Sequence, residues 1–200
     1  MKLFKGVGDL NSNIVEKAQT ITVSRRSFLK KSAIITSAAL MTPHEMMAGA
    51  GEQKVLKLYN VHLQKAFYAP FFEKSYYKLS GLFEINKAFM DYHAHEMIRV
   101  DVKLVNLLYD IQQHFGSEQI NIVSGYRSQH TNDALRKTHE GVAKNSYHIK
   151  GQAVDIYMPN VSLARLKDAA LGMQKGGVGY YPNNHFLHVD VGPVRKWVKV

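Results

Sequence analysis

The sequence predicts an α+β domain over residues 51–200, a mainly antiparallel sheet with helices packed on one side. Three observations carry this reading. Two stretches, 101–115 and 163–173, place apolar residues at the 3.6-residue spacing of amphipathic helices. Several short stretches alternate apolar and polar positions or run apolar for a few residues, as strands do. Strands outnumber helices late in the chain, yet two good helices remain, which is the pattern of an α+β domain.

The elements follow in order. Residues 54–60 alternate and read as a strand. Residues 66–72 are aromatic-rich and read as a second strand region, with Pro70 barring a central position throughout. The stretch 82–92 fits a short helix or turn, and its His93 and His95 read as surface or partly packed. Asp101 can cap the helix that runs to Phe115, and Gly116 can end it. Residues 120–124 form a strand, Gly125 to Ser128 turns sharply, and 132–138 reads as a helix. Residues 153–158 are a short apolar strand closed by Pro159. Ser162 caps the helix over 163–173, with Gly176 and Gly177 as its stop. Residues 178–181 and 186–191 look like a hairpin joined by Pro182-Asn-Asn. Trp197 is expected to close the core.

The chain of 200 residues is 46% apolar and 21% charged, ordinary for a globular protein. Its formal charge is +10, of which +6 belongs to residues 51–200. Such a surface suits an anionic partner, or is simply a solvated basic face. No run of Lys/Arg interleaved with aromatics appears in 51–200, which argues against nucleic acid. There is no cysteine, so disulfides, thiolate metal sites and a Cys nucleophile are excluded. Any zinc must be held by His and carboxylate, the usual ligands of catalytic zinc.

The first fifty residues stand apart. Ser24-Arg25-Arg26-Ser27-Phe28-Leu29-Lys30 precedes an apolar run over 33–41 and the small residues Ala48-Gly49-Ala50. Basic, apolar, small is the order of a secretory signal, and the paired arginines resemble a twin-arginine signal closely. The apolar run is far short of the roughly 20 residues that span a bilayer. Residues 1–50 are therefore read as a twin-arginine signal region. The domain from 51 on is expected in the periplasm, with no stable membrane span after signal removal.

Two ionisable residues sit in apolar strands. Asp155 shares a strand face with Ala153 and Tyr157, and His188 shares one with Phe186 and Asp190. A buried carboxylate needs a partner: a metal, an arginine or backbone amides. His148, seven residues before Asp155 and close to Gly151, adds an imidazole. The pair His148 and Asp155 alone fits a structural role. His188 from a separate strand makes one shared site the more economical explanation. Zinc there would lower a water's pKa toward roughly 7 for attack on a carbonyl.

Ser146-x-His148-x-x-Gly151-x-Ala153-x-Asp155, with His188 in a late strand, resembles the D-alanyl-D-alanine carboxypeptidase and endopeptidase family of zinc peptidases. That family shares its metal core with lysostaphin-type enzymes and hedgehog domains. Ser124-Gly-Tyr-Arg-Ser128, Gly141-Val-Ala-Lys-x-Ser-Tyr-His148, Gly176-Gly-Val-Gly-Tyr-Tyr-Pro182 and His188-Val-Asp-x-Gly-Pro193 look like the YcbK-like murein endopeptidases. The resemblance covers roughly residues 120–197. It implies a hedgehog-like zinc peptidase domain over 51–200, with Zn2+ on His148, Asp155 and His188, and peptidoglycan crosslinks as substrate. It implies that Arg127 holds a substrate carboxylate or polarises the scissile carbonyl; the bland alternative is a structural salt bridge. In the carboxypeptidase branch, an acidic residue three positions before the last metal ligand is the general base. Here that position is His185, which leaves His185 and Asp190 as candidates. Asp190 also suits the task of orienting a metal histidine. Two other functions stay open: a zinc-containing wall-binding protein without catalysis, and a D-alanyl-D-alanine carboxypeptidase. The oligomeric state is not legible.

Overall fold

Eight strands make one sheet within residues 52–139 and 141–200, the residues that the computed structural model describes. The signal region expected over 1–50 lies outside them. In chain order the elements are β1 (Gln53–Asn60), β2 (Lys65–Glu73), β3 (Tyr76–Tyr77), α1 (Leu79–Ala88), α2 (Val102–His114), β4 (Ile120–Ser124) and α3 (Gln129–Thr138). A 3-10 turn (Tyr147–Lys150), β5 (Ala153–Tyr157), α4 (Leu163–Met173), β6 (Gly177–Tyr181), β7 (Phe186–Asp190) and β8 (Arg195–Val198) complete them. The sheet order is β3-β2-β1-β4-β5-β7-β6-β8. Pairs β1–β4 and β6–β8 are parallel and the rest antiparallel, so the domain is α+β with a mostly antiparallel sheet.

One face of the sheet carries the core. Leu56, Leu58, Ile122, Val154, Ile156, Leu187 and Val189 pack with Leu104, Leu108 and Ile111 of α2 and Leu166 of α4. Each such side chain contributes about 1.5–3 kcal/mol by leaving water. Ile85 and Ala88 of α1 join them, so three of the four α-helices among the described residues feed this core. The fourth, α3, contributes no residue to it and borders a cleft instead.

The caps of α2 and α4 stand where the sequence puts them. Asp101 accepts from the Lys103 N–H and Ser162 from the Arg165 N–H. Helix α4 ends before the predicted glycine stop, at Gln174 in a left-handed turn. Helix α1 begins earlier than expected because Gly81 lets it press on β2, where any Cβ would strike the Pro70 carbonyl. Pro70 sits at a break in the β1–β2 register, beyond the reach of the two-residue β3, so its missing N–H costs no ladder bond there. Helix α3 starts three residues before the expected Asn132. Ser128 caps it by accepting from the Thr131 N–H, and Asp91 in turn accepts from the Ser128 N–H.

The C-terminus departs most from expectation. Residues 195–198 are a strand, β8, added in parallel outside β6. Trp197 therefore does not close the core. It is half-buried on the opposite face of the sheet, in the wall of the cleft.

Candidate metal centre

Strand alternation sorts the two central strands. Val154, Ile156, Leu187 and Val189 turn to the core, which leaves Asp155, His188 and Asp190 for the other face. The register sets Asp155 directly opposite His188. His148 arrives on the 3-10 turn. Ser146 caps that turn by accepting the His148 N–H at 3.3 Å, and Gly151 ends it at φ 63°. A side chain at Gly151 would meet Ile98 and the Arg99 carbonyl at 3.0 and 3.1 Å, so only glycine lets the turn seat this deeply.

Three donor atoms converge as a result. His148 Nε2 lies 3.2 Å from His188 Nδ1 and 3.4 Å from Asp155 Oδ1, and His188 Nδ1 lies 2.8 Å from Asp155 Oδ1. The outer atoms of both rings are already engaged. His148 Nδ1 is 2.7 Å from the Gly125 carbonyl, which can only accept, so that nitrogen carries the proton. His188 Nε2 is 3.0 Å from the Asp190 Oδ2 carboxylate oxygen, which can only accept, so Nε2 carries the proton there. The neutral rings thus aim Nε2 of His148 and Nδ1 of His188, as bare lone pairs, at each other and at a carboxylate oxygen. Such a cluster repels itself unless a proton or a cation lies among the three atoms.

A zinc ion fits. Tetrahedral bonds of about 2.0–2.1 Å require donors roughly 3.3 Å apart, and neutral imidazole with carboxylate is a zinc donor set. Of the described residues, only His148, Asp155 and His188 form a group that could hold a metal. The electrostatics agree. Burial disfavours charge on His188, yet hydrogen bonds to Asp155 and Asp190 hold its pKa up at about 8. Burial, helped by the charge of Arg127, pushes His148 below the ordinary imidazole value against the pull of Asp155. Burial would raise Asp155, but the two histidines outweigh it and hold the group well below the usual carboxylate range.

Asp190 is fully buried and accepts from five groups: His188 Nε2, both terminal nitrogens of Arg195, and the N–H groups of Gly177 and Gly192. Burial would raise its pKa, and these donors hold it well below the usual carboxylate range. It faces His188 from behind rather than the group of donor atoms. Arg127 follows β4, with Nη2 3.5 Å from Asp155 Oδ2, and lines the cleft. Its buried Nε has no hydrogen-bond partner. Arg127 thus stands against Asp155 and beside the open cleft. His185 is not brought to the site. It is exposed in the β6–β7 turn at φ 56°, and the cleft is lined by Asn184 and Phe186 on either side of it.

The cleft has a volume of about 630 Å³ and takes in His148, Asp155 and His188. Asp91, the Gly125 carbonyl and Arg195 line it without having carried any sequence signal of their own, as does Trp197, which was expected in the core. Arg195-Lys-Trp-Val-Lys does not alternate apolar and polar positions, so it offered no strand cue for the last two. His93 is exposed as expected, and its ring lies at a tilt against Tyr92, which also lines the cleft.

A family described as peptidoglycan L,D-endopeptidase MepK matches residues 48–197 of the chain. The peptidoglycan L,D-endopeptidase MepK of Escherichia coli K12 is 38% identical over 176 residues, covering 87% of this chain and 97% of the relative. The corresponding protein of Shigella flexneri matches to the same extent. The probable peptidoglycan L,D-endopeptidase MepK of Haemophilus influenzae is 41% identical over 134 residues, 60% of this chain and 72% of that one. No solved structure matches the chain.

Proposed function

Since the chain belongs to the family of peptidoglycan L,D-endopeptidases of the MepK type, the YcbK-like murein endopeptidases, we propose that it is a zinc metallopeptidase cutting peptide crosslinks of peptidoglycan. The observation that carries the reading is the convergence of His148 Nε2, His188 Nδ1 and Asp155 Oδ1 within 3.4 Å, with both outer ring nitrogens spoken for. Zinc held there supplies Lewis acidity and a water whose pKa falls toward about 7. The chain's own residues do the rest. Gly125 and Asp190 fix the tautomers and ring orientations of the two histidines. Arg127, with an unused buried Nε, is suited to hold a substrate carboxylate or the scissile carbonyl through its planar fork. The peptide stems of the wall carry carboxylates, and Arg127, Arg195 and Lys199 give the cleft the complementary sign.

His185 is not given the part of proton acceptor, because it stands outside the cleft lining. The paired Arg25 and Arg26 support export to the periplasm by the twin-arginine route, before the domain meets its substrate. No described helix is long and apolar enough to cross a membrane.

The test is digestion of purified sacculi by the zinc-loaded protein, followed by muropeptide analysis. Crosslinked dimers should fall, and chelation or His148→Ala should restore them. Sacculi bound without loss of dimers would mean a wall-binding protein, and shortened monomer stems with dimers intact would mean a carboxypeptidase. Either result overturns the reading.

A further inference from the structure

Two rows of residues cross the sheet from the metal strand to the C-terminal strand. In the first, Asp155 of β5 faces His188 of β7, His188 faces Gly179 of β6, and Gly179 faces Trp197 of β8. In the second, Ala153 faces Asp190, and Gly177 of β6 faces Arg195 of β8. The strand between metal ligand and C-terminus therefore has glycine at both crossing points. With no side chain in the way, residues of β8 reach over β6 to β7. The indole of Trp197 lies over Gly179, where a Cβ would come within 2.5 Å of it, and sits 5.2 Å from the His188 ring. The guanidinium of Arg195 lies over Gly177 and binds both oxygens of Asp190, at 3.0 and 2.7 Å.

Arg195 is itself held flat. Its guanidinium stands 5.2 Å from the Tyr147 ring and 5.0 Å from the Trp197 ring. Tyr147 directly precedes His148 on the 3-10 turn. One side chain thus touches the segments that carry two of the three ligands. Its reach to His188 goes through Asp190, whose Oδ2 it shares with His188 Nε2. A two-pronged planar cation fixes the carboxylate in rotation as well as position, which a lysine does not do.

We propose that Arg195 is a positioning residue for the metal centre, reaching across Gly177 to lock Asp190 and, through it, the orientation of His188. The C-terminal strand is then part of the metal site rather than a sheet edge. This rests on the reading of His148, Asp155 and His188 as zinc ligands. Removing an outer partner of a metal histidine costs about 10–100-fold in metal affinity, and Arg195, one bond further out, belongs at the lower end.

The experiment measures zinc affinity of the full chain by competition with a chromogenic chelator. Emission of Trp197, the chain's only tryptophan, is followed in parallel. Arg195→Ala should weaken zinc about tenfold, and Arg195→Lys should recover only part of the loss. Emission on zinc addition should change in the wild type and change less in Arg195→Ala. Should Arg195→Ala fail to fold, Gly177→Ala serves instead. Its methyl collides with Arg195 Nη1 and Asp190 Oδ2 while the arginine remains, and zinc should weaken likewise. Wild-type affinity in Arg195→Ala, full recovery by lysine, or wild-type affinity in Gly177→Ala where that variant is used, overturns the inference. A wild-type chain that takes up no zinc overturns the metal reading itself, and the two failures are distinct.

Discussion

Removing the metal should invert the pH dependence of stability. In metal-free protein a proton takes the cation's place. His188 then donates to Asp155 at 2.8 Å and to Asp190 at 3.0 Å, with its side chain only 12% exposed and the pairs little screened. Its pKa is held at about 8, against an ordinary 6.5. A pKa raised on folding stabilises the fold fully below the unfolded value, and the gain is lost as pH rises through the folded one. The difference is worth about 2 kcal/mol at low pH. Most of it, about 1.5 kcal/mol, disappears between pH 6.5 and 9, a fall in Tm of roughly 3–6 °C for a domain of this size. Below pH 6.5 the trend reverses, because buried His148 resists the proton that the unfolded chain accepts. With zinc present the metal competes with that same proton, so stability from pH 6.5 to 8 should rise instead. The assay is thermal melting by circular dichroism at a series of pH values, after chelator dialysis and after zinc addition. His188→Gln supplies a form without the titrating ring. A metal-free Tm that is flat or rising from pH 6.5 to 9, or one that falls equally in His188→Gln, refutes the reasoning.

Arg127→Ala should cut kcat/KM by about 100-fold on crosslinked muropeptides, the loss of one strong charged contact, while zinc affinity stays near wild type. Zinc lost in step with activity would mean that its contact with Asp155 is its whole role. His185→Ala should leave turnover unchanged, because the imidazole is exposed in the β6–β7 turn; a collapse with zinc retained would make it the proton acceptor. Gly81→Ala should destabilise the fold by about 1–3 kcal/mol in urea melts without altering zinc affinity, since the new methyl meets only the Pro70–Phe71 backbone.

Asp155 and His188 were legible as candidate ligands because each breaks a local rule: a charge or imidazole in an otherwise apolar strand asks for a partner, whereas His148, on a 3-10 turn, was legible only through its motif. The helices α2 and α4 were legible because caps and spacing agree within a few residues. What stayed hidden was decided at a distance. The start of α3 depends on Asp91, 37 residues before the Ser128 N–H that it accepts. Strand β8 is four residues long and exists by parallel pairing with β6, which no local pattern announces. Trp197 looked like a core residue because a lone large aromatic usually is one. Its destination was set by Gly179, which opens a path over β6 toward His188. Gly177, read as part of a helix stop, and Gly179, read as an ordinary strand position, are the gaps through which the C-terminal strand reaches the site.

The charge balance of the site leads to a last prediction. Around the donor atoms stand Arg127, Asp155, Asp190 and Arg195, two cations against two anions. Only one of the three ligands is anionic, so zinc would leave the centre with a net charge near +2. Asp190 cannot reduce this toward the cleft, since it is fully buried with its oxygens turned to Arg195, His188 and two backbone N–H groups. A low-dielectric cleft of one sign draws substrates of the other, and salt weakens that attraction as the Debye length shrinks from about 10 Å at 0.1 M toward 3 Å at 1 M. Stem peptides carry carboxylates, so KM on soluble muropeptides should rise severalfold between low and high salt. Turnover at saturation should hold, because the bound charges exclude bulk ions. A KM insensitive to salt would place substrate recognition on the aromatic wall of Tyr181, Phe186 and Trp197 instead of on charge.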